Sequence, residues 1–109
     1  MNQNKVYSLI SLAQKAGKVK SGEFSTDKSV KSFMAFLVIV PTDASDNTKK
    51  EFTNMCDFYQ VPIYFFGTKE ELGHMIGKQM RSSVAITDEG FAKAIMKQLD
   101  DKMSNTEEV

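Results

Sequence analysis

The sequence predicts an α/β protein, a three-layer α-β-α sandwich around a central four-stranded mixed sheet. Three observations predict it. Segments with apolar residues at three- and four-residue spacing alternate along the chain with short β-branched or aromatic runs. Each run is bounded by glycine, proline or a residue suited to capping a helix. One run, "FLVIV" at 36–40, is apolar throughout, as expected of a strand covered on both faces. The resulting order, α-β-α-β-α-β-α-β-α, fits helices packed on both sides of one sheet. Helical crossovers favour parallel pairs, while the short first strand suits an antiparallel place at an edge.

Val6, Leu9, Ile10, Leu12, Ala13 and Ala16 predict a helix over 4–16, with Asn4 as its cap and Gly17 at the left-handed position beyond its end. "KVKS" (18–21) reads as a strand, and Gly22 opens a second helix to about Ser32. The run 36–40 is the second strand, stopped by Pro41. "DASDNT" offers caps for a third helix that reaches Tyr59, with Phe52, Met55, Cys56 and Tyr59 on one face. "VPIYFFG" is the third strand. "TKEEL" pairs Thr68 with Glu71 as a capping box for a short helix ending near Gly77. "SSVAIT" is the fourth strand, and Asp88 caps a last helix with a stripe of Phe91, Ala92, Ile95 and Leu99.

A chain of 109 residues suits one domain, here residues 1–99, followed by an acidic tail over 100–109. The tail is expected either to be flexible or to prolong the last helix by a turn. No apolar run approaches the roughly 20 residues that cross a bilayer. The N-terminus lacks the features of a signal peptide, so a cytoplasmic protein is expected. The formal net charge is zero, but it is unevenly spread. Residues 100–109 carry four acids against one lysine, which leaves 1–99 with thirteen basic and ten acidic side chains. Either this is an ordinary solvated surface or an acidic tail masks a mildly basic domain.

Catalysis finds no support. His74 is the one histidine, placed in "ELGHMIG" on a short helix, and Cys56 falls on an apolar stripe. No zinc-protease, P-loop or dinucleotide motif occurs, and a single cysteine offers no metal-ligand pattern. No cofactor or metal is expected. "KVKSGEFSTDKSV" (18–30) is more telling. A helix start presents free N–H groups and the positive end of the helix dipole, which together attract anions. Gly22 permits close backbone approach, Ser25 and Thr26 add hydroxyls, and Lys28 and Lys31 share a face. On physical grounds alone, a phosphate grip and a well-made helix start both remain open.

Read together, "GEFSTDKSVKS", "AFLVIVPTDASDNTKK", "YQVPIYFFGTKEELGHMIGK" and "RSSVAITDEGFAKAI" resemble the kink-turn RNA-binding ribosomal protein family, the L-seven-Ae/L-thirty-e group, and within it the small bacterial members. The resemblance covers 4–99. It implies an α-β-α sandwich and a non-catalytic, ribosome-associated protein that recognises sharply bent, bulged RNA. It further implies that the Gly22 helix start enters the RNA groove, with Lys18, Gly22, Glu23, Phe24, Ser25, Thr26, Lys28 and Lys31 as the first contact region. Met80, Arg81, Ser82 and Ser83, in the loop before the last strand, form the second and close over the bulge. Thr42, Asp43 and Lys49 flank the same end, with Asp43 more readily a cap or a support for the loop. The best-known RNA binders carry asparagine and glutamate where this chain has Phe24 and Ser25, and Phe24 suits stacking on a base rather than reading its edge. The expected partners are RNA and ribosomal or RNA-processing proteins, with the chain itself a monomer. The alternative is a protein-interaction adaptor on the same scaffold, anchored by Phe24, Phe33 and Phe36.

Overall fold

A computed structural model describes residues 2–108, with side chains for 5–101. Five helices and four strands alternate in the expected order: α1 (Asn2–Lys15), β1 (Val19–Ser21), α2 (Glu23–Lys31), β2 (Leu37–Val40), α3 (Asp46–Tyr59), β3 (Ile63–Phe65), α4 (Lys69–Met75), β4 (Val84–Ile86) and α5 (Glu89–Glu108).

The strands form one sheet in the order β1-β4-β2-β3. β1 pairs antiparallel with β4 at the edge, as the shortness of the first strand suggested. The general expectation of parallel pairs needs correcting, because only β2 and β3 are parallel and β4 runs against both of its neighbours. The α4-to-β4 connection accounts for this. The chain leaves β3, makes a short helix, and enters β4 from the end at which β3 stopped.

The alternating faces of β2 and β4 divide the core. Leu37, Ile39, Val84 and Ile86 pack against Val6, Ile10 and Ala13 of α1, Leu72 and Met75 of α4, and Ile95 and Leu99 of α5. Val38, Val40 and Ala85 face Val30 of α2 and Phe52 and Cys56 of α3. Most of these side chains are wholly buried, and each Val, Leu, Ile or Phe contributes about 1.5–3 kcal/mol. Burial also pushes the Cys56 thiol up to about 11, which leaves it protonated and a poor nucleophile.

The ends of elements differ in places from expectation. α1 starts at Asn2, so Asn4 lies within the helix and not at its first position. β3 spans three residues of "VPIYFFG", because Pro62 lacks the N–H a ladder needs. α5 continues as a helix beyond Leu99, where its apolar stripe ends, through the acidic segment. Tyr64 Oη donates to Asp100 Oδ1 at 2.6 Å, tying β3 to α5. Burial first, then the hydrogen bond and charge of Asp100, push that phenol up to about 12. The Thr68–Glu71 capping box forms as read from the sequence.

Candidate nucleic-acid interface

Strand direction decides what gathers at each end of the sheet. Ser21 lies opposite Val84, and Ile39 also lies opposite Val84. The carboxyl ends of β1, β2 and β3 and the beginning of β4 therefore share one edge. The starts of α2, α3 and α4 follow directly from those strands and point their N-terminal amides the same way. Two of the three starts are closed by side chains. Ser45 Oγ accepts from Thr48 N at 3.1 Å at α3, and Thr68 Oγ1 accepts from Glu71 N at 3.1 Å at α4. The start of α2 has no side-chain cap.

Gly22 makes that start possible. Its φ of 90° and ψ of 158° belong to a backbone region that only glycine occupies without strain, and a Cβ there would meet no atom within 4 Å. Conformation, not crowding, demands the glycine. Its N–H donates to the Ser83 carbonyl at 3.0 Å, which joins the start of α2 to the loop before β4. The first-turn amides of Glu23, Phe24 and Ser25 have no partner within the helix and face outward.

The two regions implied as RNA contacts meet here. Ser83 Oγ donates to Thr26 Oγ1 at 3.1 Å, with both residues fully buried, so these hydroxyls hold the joint from within. Arg81 Nε donates to Ser21 Oγ at 3.1 Å, and its Nη1 donates to the Met80 carbonyl at 3.0 Å. The backbone amide of Arg81 donates to the Lys69 carbonyl at 3.0 Å. Lys69 N in turn donates to Asp43 Oδ1 at 2.8 Å, so Asp43 supports the start of α4. Thr42 donates to the Gly67 carbonyl through both its amide (2.8 Å) and its hydroxyl (2.9 Å). Outside this scaffold stand Phe24, 80% exposed, Met80, 62% exposed, and Lys28 on the second turn of α2. Glu23 is also exposed, Ser25 and Ser82 are half-buried, and Lys49 is half-buried on α3.

Two of the lysines lie elsewhere. The Lys18 carbonyl accepts from Thr87 N at the far end of β4, so Lys18 sits a strand's length from Gly22. Lys31 ends α2, about 12 Å along the helix from Glu23, and its Nζ lies 3.2 Å from Asp27 Oδ1.

Sequence reasoning missed three residues that position the loop. Ser21 and Lys69 are two of them, through the bonds just described. Gly73 is the third. It lies inside α4, and a Cβ there would stand 1.8 Å from the Gln79 carbonyl oxygen, so the loop backbone crosses the helix against bare glycine. Its own carbonyl accepts from Lys78 N at 2.8 Å. A glycine within a helical pattern was the available signal.

The family model for the ribosomal protein L7Ae/L30e/S12e/Gadd45 family matches residues 4–96. The chain is 42% identical over 94 residues to the RNA-binding protein YlxQ of Bacillus subtilis, covering 86% of this chain and 94% of that protein. It is 40% identical over 92 residues to the RNA-binding protein YlxQ of Enterococcus faecium, covering 84% and 88%. Among solved structures, a Bacillus halodurans protein of unknown function superposes with a TM-score of 0.85 at 34% identity, covering 88% of this chain and 97% of that one. The Giardia lamblia 15.5kD RNA binding protein shares the fold, with a TM-score of 0.76 at 19% identity over 92% of this chain and 86% of that one.

Proposed function

The chain belongs to the ribosomal protein L7Ae/L30e/S12e/Gadd45 family, and on that footing we propose that it binds RNA without catalysis, at the edge built around Gly22. Its target is a sharply bent, bulged RNA of the kink-turn type, within the ribosome or another RNA assembly. The observation that carries this reading is the uncapped start of α2 beside two capped ones, joined to the 78–83 loop through Gly22 and Ser83.

The outward amides and the helix dipole attract a phosphate, and Gly22 lets the backbone approach it closely. Lys28 adds an exposed ammonium as a point charge. Phe24 and Met80 supply apolar surface for unstacked bases, which a bulge presents and a regular duplex does not. Arg81, held by Ser21 and the Met80 carbonyl, keeps part of its guanidinium accessible to phosphate. The relatives named as RNA-binding proteins support the same reading.

Electrophoretic titration of a kink-turn RNA and a mismatch-free duplex of equal length, each at two salt concentrations, tests it. The bent RNA is expected to bind at least tenfold more tightly at both salts. Equal and weak binding of the two RNAs would overturn the specific recognition, and no binding of either would overturn the RNA function.

A further inference from the structure

We propose that a second copy of this chain covers the aromatic end of the molecule, opposite the Gly22 edge, in a two-fold dimer. This departs from the monomer that the sequence suggests, and it does not depend on RNA. Phe33 is 74% exposed and Phe58 is 77% exposed, and both rings meet Tyr59 edge-on, with centroids 5.6 Å and 4.9 Å away. Met34 and Phe36 are exposed in the same α2–β2 connection.

The backbone presents Phe33 at a cost. At the end of α2, Phe33 N donates to the Val30 carbonyl and Met34 N to the Ser29 carbonyl, which is a Schellman closure. That closure requires a left-handed residue, and Phe33 has a φ of 63°. The same pair of bonds closes α1 and α4, where Gly17 and Gly77 take the left-handed position, and α3, where Gln60 takes it with a φ of 59°. A phenylalanine at such a site carries strain that its edge-on contact with Tyr59 offsets within the chain, while most of its ring stays open to solvent.

Area and charge identify the occupant. At roughly 200 Å² for a phenylalanine, Phe33, Met34, Phe36 and Phe58 together expose about 500 Å² of mostly apolar surface. A standard interface covers about 800 Å² on each partner, of which homodimers make about 65% apolar, so the patch is of dimer size. A polyanion suits it poorly, because the negative dipole ends of α2 and α3 lie here and Asp57 adjoins Phe58. Lys31, its ammonium 3.2 Å from Asp27, ends α2 two residues before Phe33, and Asp57 precedes Phe58 on α3. A two-fold axis through the patch sets α2 of one copy against α3 of the other and brings these opposite charges together, as an isologous contact requires.

Sedimentation velocity of the nuclease-treated full chain, from low micromolar to several hundred micromolar, is the test. The wild type is expected to pass from monomer to dimer, and Phe58→Glu to remain monomeric. Phe33→Gly should weaken dimerisation at least tenfold while its thermal midpoint at low concentration holds or rises, which separates a weakened interface from a damaged fold. Lys31→Glu and Asp57→Lys should each dimerise poorly alone and recover when mixed in equal amounts. A wild type that stays monomeric throughout, or a Phe58→Glu protein that dimerises like it, would overturn the dimer. A mixture no better than its components would overturn the two-fold arrangement.

Discussion

The two ends of the sheet are made from the same strands and helices, yet they carry opposite physics. At the Gly22 edge, α2, α3 and α4 all begin, and their amides and positive dipole ends point outward. At the aromatic end α2 and α3 finish, so their negative dipole ends lie beside Phe33 and Phe58, their last carbonyls largely closed by backbone amides, while α5 begins at the same end on the other face of the sheet. Side-chain polar bonds follow the same division. Ser21, Thr26, Asp43, Arg81 and Ser83 tie four connections together at the first edge. At the second, backbone closures dominate and the exposed side chains are aromatic. A chain whose formal net charge is zero thus gathers three helix starts at one edge through strand direction, not through an excess of lysine.

Substitutions at the two ends should separate accordingly, and the largest effect is expected at Gly73. The Cβ of Gly73→Ala would collide with loop backbone, so α4 or the loop must shift, at about 2–3 kcal/mol of stability. RNA affinity should fall at least tenfold with it, as chemical denaturation and electrophoretic titration would report. Gly22→Ala meets no atom but must hold a conformation foreign to alanine, which costs about 1–3 kcal/mol. Either the backbone relaxes and the edge loses its shape, or the strain stays, so affinity and denaturation midpoint should drop together. Lys28→Ala should weaken RNA binding several-fold with unchanged stability. The slope of log affinity against log salt should become shallower by up to about 0.9, as expected when the protein neutralises one phosphate fewer. Phe33→Gly, at the other end, should leave RNA affinity within about twofold of the wild type, since a ring remote from the site contributes little to it. It relieves about 1 kcal/mol of left-handed strain and forfeits an edge-on ring pairing of similar size, so stability should hold.

Much of this was legible in the sequence, for identifiable reasons. Period and punctuation located all nine elements because each is local: the Thr68–Glu71 box, Asp88 accepting from Phe91 N, and Gly17 closing α1 are interactions within a few residues. The pairing of β4 was not legible. Whether a strand after a short helix runs with or against its neighbour depends on where it finds partners, and that is a non-local matter. The Gly22 start was visible as glycine, hydroxyls and a lysine, but its union with Ser83 joins segments far apart in the chain. Lys18 and Lys31 stand near Gly22 in sequence, and Lys31 shares a helix face with Lys28. A three-residue strand and a nine-residue helix carry them on the order of 10 Å from Gly22 in opposite senses, which the run of letters does not show. Thr26 and Ser83 looked like free hydroxyls because a sequence pattern does not report which hydroxyls become buried.

The most direct test is a map of backbone amide resonances in the isotope-labelled chain as a kink-turn RNA is added. The largest shifts are expected at residues 22–28 and 80–83, with residues 33–36 and 57–60 unmoved. Shifts concentrated at the aromatic end, with the start of α2 unchanged, would contradict an RNA interface built on Gly22.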